Sequence, residues 1–435
     1  MLKVIETFSG IGSQAQALKN IGVEYNVEAI VEWEIGAVYA YDIMHNGPQD
    51  IANYRHHTRD SLITELAKYN LSGDGKIPLT NRSLISMNVS QLKAIMCAIE
   101  RNNNLVDITT VKAERLPDGD ILTYSFPCQD LSVSGNWHHN TGGINRDANN
   151  RSTLLWQIER ILKEYIQIGK ELPKFLLMEN VDNILSNKHI KNFNEWQSFL
   201  EGLGYINQVY TLDARNFGIP QTRIRTYMVS VLPHNKNQAK AIQDYFLVNN
   251  LERKHLPKEH IVPIGDYLRL DYSNEIYKTE AIESTPAFTP SRQKIYENNI
   301  ILATDDKPNN LMYARTVTTK QDRHPNSGII EYKHKALTEI NSKYRNLTPR
   351  ECFLLMGFEE EQFDLLMSHN IDVATNRKIL SPSKLIRLAG NSIVVQVLEQ
   401  VFKQINEINS EILENKVFLV TDKDERKSEE VLVLS

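Results

Sequence analysis

The chain has 435 residues and a mass of 50.0 kDa, which exceeds the usual size of one hydrophobic core, so its length predicts two domains. Hydrophobic residues make up 41% and charged residues 24%, which is typical of a globular protein and excludes an intrinsically disordered chain. The three cysteines, Cys97, Cys128 and Cys352, are too few and too far apart for a disulfide scaffold or a structural zinc framework. The formal net charge of -5 gives no indication of a polyanionic partner.

The N-terminal apolar run is interrupted early, at Glu6, and no later apolar run is long enough to span a bilayer. We therefore expect neither a signal peptide nor a transmembrane helix. Together with the low and odd cysteine count, this pattern predicts a cytoplasmic protein that works in a reducing compartment.

The first half of the chain alternates short apolar runs with amphipathic stretches, which is typical of βαβ units around a mostly parallel sheet. Two connections are longer than an ordinary crossover. They are an insertion at 43–103 and a polar segment at 133–150, which suits a mobile active-site loop or a plain surface insertion equally well. The predicted strands are 2–8, 27–32, 104–108, 120–125, 174–179 and 226–232.

The second half begins with an irregular stretch at 232–344, and regular helical spacing resumes from Pro349. Within 315–350, eight basic residues stand against three acidic ones, a local balance of +5. Such a run is often only a solvated face, but it is also the place to look for contacts to a polyanion. Acidic residues dominate the C-terminal tail at 409–435. The basic side chains predicted to contact such a partner are Arg315, Lys320 and Arg323.

A strand, a small-residue turn and a helix follow one another near the N-terminus. Gly10 and Gly12 would let a ligand approach the backbone, and the helix that follows presents free N–H groups. With Ala15 they satisfy G-x-G-x-x-A, and Glu32 ends the next strand, where an acid that binds a ribose belongs. The pattern fits NAD and S-adenosylmethionine alike, and an ordinary tight turn is equally compatible with it.

Reactive side chains are predicted to follow three other strands. Cys128 lies just after the strand at 120–125, where ligands bind in open α/β sheets, although most single cysteines are buried and inert. Glu179 ends an apolar strand, so burial would raise its pKa toward that of a general acid, unless it only caps a helix. Gln221, Arg223 and Arg225 alternate onto one strand face, which suits an acceptor such as a carboxylate, phosphate or carbonyl oxygen, and a solvated face of an edge strand would explain the pattern equally well.

Metal binding is not expected. The histidine pairs 56–57 and 138–139 are adjacent in sequence, so their side chains would not share a face of a regular helix or strand. No cysteine or acidic residue has ligand spacing beside them.

Taken in order, these motifs resemble those of the cytosine-C5 DNA methyltransferases of bacteria and phages. The resemblance covers the chain from Val4 to about Leu232 and resumes from Arg345 to Ile405. Two small residues depart from the family pattern, since Ser13 and Ser152 stand where glycine is usual. By this resemblance, the cofactor-binding residues are Phe8, Ser9, Gly10, Ile11, Gly12, Glu32, Trp33, Asp107, Ile108, Pro127, Leu154, Asn391, Ser392 and Ile393.

The resemblance also implies the remaining roles. Cys128 would be the nucleophile, Glu179 the acid, and Arg225 with Arg223 the pair that holds the O2 side of the base and orients Glu179. Glu32 would contact the ribose, with Trp33 as its stacking neighbour, and Asp107 with Ile108 would contact the adenine. The DNA-contacting residues would be Gln129, Ser132, Arg151, Arg315, Lys320 and Arg323.

The implied fold is a doubly wound, Rossmann-like α/β domain with a smaller, irregular target-recognition domain inserted into it. Residues 1–231 would form the first part of the catalytic domain, 232–344 the recognition domain, and 345–408 a return segment whose last helix begins near Asn391. The implied donor is S-adenosylmethionine, which leaves as S-adenosylhomocysteine, and no metal is needed. The implied partners are double-stranded DNA, bound by a monomer, and a cognate restriction endonuclease.

Other functions stay open on the sequence alone. An RNA cytosine methyltransferase would share this motif order, although the large irregular segment favours readout of duplex DNA. A catalytically silent DNA-binding regulator is disfavoured by the presence of Cys128, Glu179 and Arg225. A dinucleotide oxidoreductase has only the glycine turn in its support.

Overall fold

The computed structural model describes residues 1–127, 131, 143–146, 151–254, 262–287, 289–304, 307–332, 342–415 and 417. The strands are β1 (Leu2–Thr7), β2 (Tyr25–Val31), β3 (Ile121–Tyr124), β4 (Phe175–Val181), β5 (Ile206–Asp213), β6 (Gln221–Thr222), β7 (Ile224–Val231), β8 (Ile301–Thr304), β9 (Lys307–Pro308), β10 (Ala314–Arg315), β11 (Ile329–Glu331), β12 (Tyr344–Asn346), β13 (Asp372–Ala374) and β14 (Arg377–Lys378). The helices are α1 (Ser13–Asn20), α2 (Ile35–Asn46), α3 (Arg59–Leu66), α4 (Asn81–Ile85), α5 (Val89–Arg101), α6 (Leu155–Gln167), α7 (Ile190–Gly202), α8 (Lys236–Val248), α9 (Glu275–Glu283), α10 (Pro290–Glu297), α11 (Pro349–Leu354), α12 (Glu360–Ser368), α13 (Pro382–Asn391) and α14 (Val395–Ile408).

A six-stranded sheet in the order β2-β1-β3-β4-β7-β5 forms the centre of the molecule. The β1–β2, β1–β3 and β3–β4 pairs are parallel, whereas β7 runs antiparallel to both β4 and β5. The predicted doubly wound, mostly parallel α/β fold is therefore confirmed.

Alternation along the strands supplies two cores, one on each face of the sheet. Val4 and Ile121 join the core that contains α1 and α14, while the next residues, Ile5 and Leu122, join the core beneath α6 and α7. Because both faces are covered by helices, the central strands are buried at almost every position, which explains the short apolar runs in their sequence.

The predicted strand at 104–108 is wrong. Asn104 makes only an isolated parallel bridge with Ile30, and Asn103 and Val106 have positive φ angles of 43° and 65°, which an extended strand cannot contain. The Asn104 amide instead accepts a hydrogen bond from the Glu32 backbone N–H and donates one to the Glu32 carbonyl. A side chain thus replaces the strand pairing at this edge of the sheet.

The segment after β7 contains a second, four-stranded sheet in the order β12-β11-β8-β9, together with α9 and α10. The chain then returns through α11 to α14, and α14 packs on α1. The predicted last helix near Asn391 begins later, at Val395, because α13 ends at Asn391. The limits of the predicted recognition domain stay a prediction.

One stretch of the described chain, Pro382–Leu413, is long and apolar enough to cross a membrane by length and composition alone. It comprises α13, α14 and the short π-helix Asn409–Leu413. Of its most apolar window, 61% is buried within the protein. Its apolar side chains, among them Leu398 and Phe402, belong to the core shared with α1.

Candidate active site

The turn between β1 and α1 has the backbone geometry of a ligand-binding loop. Phe8, Gly10 and Gly12 have φ angles of 56°, 56° and 80°. A Cβ on Gly12 would lie 2.2 Å from Nε2 of His45, so this position tolerates only glycine. A Cβ on Gly10 would meet nothing within 4 Å, so the backbone of Gly10 borders open space. His45 also contacts the carbonyl of Ile11 through Nε2, at 2.9 Å, which holds the turn from behind.

Glu32 connects this turn to the end of β2. Its Oε2 accepts a hydrogen bond from the Gly10 N–H at 3.0 Å, and its Oε1 accepts one from the Glu34 N–H at 2.8 Å. Burial raises the pKa of Glu32 to about 7, with the nearby Glu34 carboxylate adding to the rise and the backbone hydrogen bonds opposing it. The carboxylate is therefore fixed beside the loop, next to Trp33.

The loop has unused hydrogen-bonding capacity of the kind that an S-adenosylmethionine site needs. Among the described residues, the buried hydroxyl of Ser9 has no hydrogen-bond partner. The first N–H groups of α1 lie beyond Gly12, where Ser13 begins the helix. The chemistry of this set, a carboxylate, a hydroxyl and the amides of a helix N-terminus, fits a cofactor with a ribose and a charged amino-acid end.

Ser13 links the loop to the return segment. Its Oγ lies 2.6 Å from Oγ of Ser392 and accepts a hydrogen bond from the Ile393 N–H at 3.3 Å. The hydroxyl that distinguishes serine from the usual glycine therefore joins two segments predicted to bind the cofactor. Asn391, which precedes them, is exposed at the end of α13.

Glu6 is a fully buried acid in β1, two residues before the loop. Burial raises its pKa to about 8, and the nearby Tyr41 hydroxyl and Ala15 amide oppose the rise only in part. Since the ordinary value is 4.5, the folded protein favours the protonated acid, and stability falls as the pH rises from about 4.5 to about 8.

We therefore expect Glu6→Gln to raise the free energy of unfolding by about 2–4 kcal/mol at pH 8 and to change it little at pH 5. Urea unfolding at both pH values measures the difference. The exposed Glu24, replaced by glutamine, is the matched control and should change stability little at either pH. A Glu6→Gln effect that is equal at pH 5 and pH 8 would contradict the buried-acid explanation.

The carboxyl end of β3 leads directly into the predicted nucleophile loop. The carbonyl of Phe126 accepts a hydrogen bond from Nδ2 of Asn180 at 3.0 Å, and the carbonyl of Pro127 accepts one from Oγ of Ser152 at 2.8 Å. Because β3 and β4 are parallel neighbours, their carboxyl ends lie at the same edge of the sheet, and Glu179 lies near that edge on β4. Ser152, the second departure from the family pattern, is thus a structural anchor.

Glu179 and Arg225 form a shielded ion pair. The Nε atom of Arg225 lies 3.4 Å from Oε1 of Glu179, and their side chains are 15% and 11% exposed. Glu179 is paired with Tyr227 in the β4–β7 register, so Arg225 lies diagonally across from it on the same face of the sheet. Burial raises the pKa of the Glu179 carboxyl, and the charges of Arg225 and then Arg223 oppose that rise.

The side chains of Arg223 and Gln221 contact the segment around Val317 and the return segment. Strand pairing breaks between Thr222 and Ile224, so the predicted single face of three donors does not form. Arg223 donates from Nη1 to the Val317 carbonyl at 2.9 Å and from Nη2 to the Ser392 carbonyl at 2.6 Å. The acceptors are therefore backbone carbonyls, and the geometry differs from the role of holding a base that was predicted for Arg223.

Gln221 makes a similar connection. It is fully buried, accepts a hydrogen bond from the Val317 N–H at 2.7 Å and donates one to the Leu355 carbonyl at 2.8 Å. Together, Gln221 and Arg223 join β6 and β7 to the segment around Val317 and to the return segment.

Other predicted cofactor residues lie around the edge of the sheet. Asp107 is partly buried and Ile108 is buried in the core beneath α6. Leu154, just before α6, is partly buried against that same core. Their contacts with a cofactor stay predictions.

Several predicted residues lie outside the described part of the chain. These are Cys128, Gln129, Ser132, the side chain of Arg151, most of the loop 133–150 and most of the acidic tail 409–435. Within the described residues, no cluster of three or more histidine, cysteine or acidic side chains could hold a metal ion. Cys97 and Cys352 are buried in α5 and α11.

The charge of +5 counted for residues 315–350 is larger than the basic charge that these residues expose to solvent. Arg345 is fully buried against Glu351, at 2.8 Å, and Arg350 is buried against Glu280, also at 2.8 Å. Both acids lie outside the window 315–350, so these two arginines hold the fold together and do not face solvent. The residues of that window predicted to contact DNA lie at its start, where Arg315 is partly buried and Lys320 and Arg323 are exposed.

Three features together are those of a methyltransferase of the Rossmann-like class. They are a mostly parallel sheet with one antiparallel strand, a glycine turn after β1, and a carboxylate–arginine pair at the carboxyl edge. The family model described as C-5 cytosine-specific DNA methylase matches residues 85–407. The chain belongs to the C-5 cytosine-specific DNA methylases, and it is an enzyme of that class.

Similar proteins cover nearly the whole chain. The Type II methyltransferase M2.ScrFI of Lactococcus lactis subsp. cremoris is 31% identical over 93% of this chain and 99% of its own length. The orphan methyltransferase M.SssI of Spiroplasma monobiae is 32% identical over 93% of this chain and 97% of its own length. The crystal structure of S. pombe Dnmt2 methyltransferase has a TM-score of 0.56 at 18% identity, covering 93% and 98% of the two chains, which is a likeness of fold.

Proposed function

We propose that this enzyme transfers a methyl group from S-adenosylmethionine to C5 of a flipped-out cytosine in a specific duplex DNA sequence, through a covalent Cys128–C6 adduct. The observation that carries the proposal is the meeting of three elements at one edge of the sheet. The glycine turn of Gly10 and Gly12 and the anchored start of the Cys128 loop follow the carboxyl ends of β1 and β3, and the Glu179–Arg225 pair lies near the carboxyl end of the neighbouring β4.

The residues around the turn would hold the cofactor. Glu32 would accept hydrogen bonds from the ribose hydroxyls, Trp33 would stack beside it, and the Ser9 hydroxyl and the first amides of α1 would face the amino-acid end. When bound, S-adenosylmethionine supplies an electrophilic methyl group. Pro127, Leu154 and the 391–393 segment would complete the wall of the site.

Cys128 would activate the base, because cytosine C5 is a poor nucleophile on its own. The thiolate adds to C6, which forms the S–C6 bond and moves the ring electrons toward C5 and N3. After C5 gains the methyl group, whose bond to the donor sulfur breaks, a base would remove the C5 proton, and the electron pair left behind would expel the Cys128 thiolate. N3 would then return its proton to Glu179. The ring regains its aromaticity, and the enzyme is restored.

Glu179 would neutralise the negative charge that this addition creates at N3. Burial raises the pKa of its carboxyl, so it keeps its proton to a higher pH than an ordinary glutamate, and the acid form would donate to N3 as electrons move there. Arg225, 3.4 Å from Glu179, would fix the carboxyl orientation and balance the charge when the proton has left. Arg223 would support this arrangement from behind, through its hydrogen bonds to the Val317 and Ser392 carbonyls.

Because C6 cannot be reached inside a stacked duplex, the base must leave the helix, which costs a few kcal/mol. The segment 232–344 would act as the recognition domain, opposite a catalytic domain formed by 1–231 and 345–408. The loop 133–150, with Gln129, Ser132 and Arg151 near its ends, would close over the base.

A transfer assay tests the function directly. Purified protein and tritiated S-adenosylmethionine should label unmethylated duplex DNA and leave tRNA unlabelled. Bisulfite sequencing of DNA from cells that express the protein should then show protected cytosines in one short sequence. Labelled tRNA with unlabelled DNA would favour the RNA-modifying alternative, and no labelling of either would favour a silent DNA-binding regulator.

The basic start of the recognition segment should contribute phosphate contacts. We expect the triple variant Arg315→Ala, Lys320→Ala and Arg323→Ala to bind DNA more weakly and to reduce the slope of log K against log salt by about 0.9 for each phosphate that is no longer neutralised. Fluorescence anisotropy across a salt titration measures both quantities.

The matched control replaces three exposed lysines of β1, α1 and α14, Lys3, Lys19 and Lys403, by alanine. It changes the net charge equally and should leave the slope near the wild-type value. If both triple variants reduce the slope alike, the effect comes from net charge and the proposed placement is wrong.

The biological setting is also a proposal. One relative is named a Type II methyltransferase and another an orphan methyltransferase. We propose that this protein is the cytoplasmic modification enzyme of a restriction–modification system, acts as a monomer on DNA and has a cognate endonuclease that cuts the same sequence. DNA protected by this methylation should resist that endonuclease.

A further inference from the structure

The insertion at 43–103 is packed directly against the segment that carries Trp33. Its α3, α4 and α5 share a core with α2, and the partly buried Trp33 packs against that core. The insertion therefore shares a core with α2, and its position depends on the segment that follows β2. The buried members of this shared core include Ile35, Val38, Leu62, Leu66, Leu71, Leu84, Leu92 and Ile95.

Backbone hydrogen bonds fix one strand-like piece of the insertion beside Trp33. The Ser72 N–H donates to the Trp33 carbonyl at 2.7 Å, and the Ile35 N–H donates to the Ser72 carbonyl at 2.9 Å. These two bonds form a parallel bridge between Ser72 and Glu34. Leu71, which is 1% exposed, anchors the piece in the core from the neighbouring position.

Asn70 lies two residues before the Ser72 bridge, and its side chain contacts Asp107. Its Nδ2 donates a hydrogen bond to Oδ2 of Asp107 at 2.8 Å. The other oxygen, Oδ1, accepts hydrogen bonds from the N–H and Oγ1 of Thr109, at 2.9 and 2.8 Å. Both carboxylate oxygens are thus oriented, while Oδ2 keeps a lone pair for another donor, because each oxygen can accept two hydrogen bonds.

We propose that Asn70 is a positioning residue that orients Asp107 to accept a hydrogen bond from the exocyclic amino group of the cofactor's adenine. The insertion then forms the adenine-side wall of the cofactor site, and it contributes to selection between an adenine and a 6-oxopurine. The inference rests on the proposed function, which assigns the adenine contact to Asp107.

The test compares two ligands that differ only at that amino group, S-adenosylhomocysteine and S-inosylhomocysteine. Calorimetric titration of the whole enzyme should give, for Asn70→Ala, a Kd for S-adenosylhomocysteine about five- to tenfold higher than that of the wild type. The Kd for S-inosylhomocysteine should change less than twofold, so discrimination between the two ligands falls. Asn70→Asp should lose more affinity for S-adenosylhomocysteine than Asn70→Ala, because a second carboxylate would face Asp107.

Controls separate positioning from folding. Asn53 is an exposed asparagine of the same insertion, whereas the hydrogen bonds to the Asp107 carboxylate come from Asn70 and Thr109, so Asn53→Ala should retain full discrimination. Asp107→Ala should cause the largest loss of discrimination between the two ligands, and adding Asn70→Ala to it should cause no further loss of discrimination. Thermal unfolding should show that Asn70→Ala remains folded, as expected for an exposed side chain.

Three results would overturn the inference: unchanged discrimination in Asn70→Ala, an equal loss of affinity for both ligands, or an additive effect of Asn70→Ala in the Asp107→Ala background. The proposed function fails in a different way, through a wild-type enzyme that does not bind S-adenosylhomocysteine or does not methylate DNA. A wild type that binds and methylates beside an unaffected Asn70→Ala variant therefore rejects the role of Asn70 alone.

Discussion

Glu179→Gln is expected to lower kcat by about 10²–10⁴-fold, the usual contribution of a positioned general acid. The carboxyl lies at the end of β4 with 9% of the residue exposed, and glutamine keeps its shape but cannot give up a proton. The affinities for DNA and for S-adenosylhomocysteine should change little, since the loss concerns charge that develops during the reaction. Single-turnover kinetics measures the chemical step without product release.

The pH profile makes this prediction specific. Burial raises the pKa of Glu179, and Arg225 and Arg223 oppose the rise, so the protonated acid persists to a higher pH than in an ordinary glutamate. A step that needs the protonated form slows as the pH rises through this pKa, which gives the alkaline limb of the profile. Glutamine should remove that limb, because it does not titrate.

The matched control is Glu201→Gln, an exposed glutamate in α7. It should keep the wild-type rate and both limbs of the pH profile. An alkaline limb that persists unchanged in Glu179→Gln would assign the titration to another group and contradict the role of Glu179 as the acid.

The sequence predicted the central strands because burial on both faces makes them nearly continuous apolar runs. It failed beside β2 and at the edge strand β5, where side chains and partial exposure decide the structure. Asn104 replaces a predicted strand by bonding Glu32 through its amide, and β5 escaped prediction because polar residues such as Asn207 and Gln208 interrupt its apolar pattern. Neither amide hydrogen bonds nor edge positions are visible in hydrophobic periodicity.

Charge counting failed for a related reason. Composition cannot distinguish an arginine that faces solvent from one that pairs with a distant acid, and Arg345 and Arg350 both pair inside the protein. The same holds for Arg223, whose alternation with Arg225 suggested one shared face. A break in strand pairing after Thr222 turns Arg223 toward the Val317 and Ser392 carbonyls.

The two departures from glycine show how a local exception can follow from tertiary structure. Ser13 bonds Ser392, almost the whole chain length away, and Ser152 bonds the carbonyl just before Cys128. The sequence indicated only that both residues are small. The Ser13 hydroxyl joins the cofactor turn to the return segment, and the Ser152 hydroxyl joins the turn before α6 to Pro127, just after β3. Spacing along the sequence does not reveal these contacts between separate parts of the chain.

Cys128→Ala is expected to reduce methyl transfer by at least about 10³-fold, since the covalent route through C6 disappears with the thiol. Binding of S-adenosylhomocysteine should remain, because the glycine turn and Glu32 lie on other strands. The protein should also stay folded. The carbonyls of Phe126 and Pro127 that position the start of the loop are backbone groups and do not depend on the side chain that follows.

DNA that contains 5-fluorocytosine at the target position separates this mechanism from a non-covalent one. Fluorine cannot leave as a cation, so the elimination that frees Cys128 is blocked after methyl transfer, and the wild type should remain bound to DNA through denaturing electrophoresis. Cys128→Ala should form no such complex. Cys97→Ala, which removes a buried thiol from α5, should form it at the wild-type level. Because both variants lose one cysteine, a covalent complex that survives in Cys128→Ala would place the attacking nucleophile on a different residue.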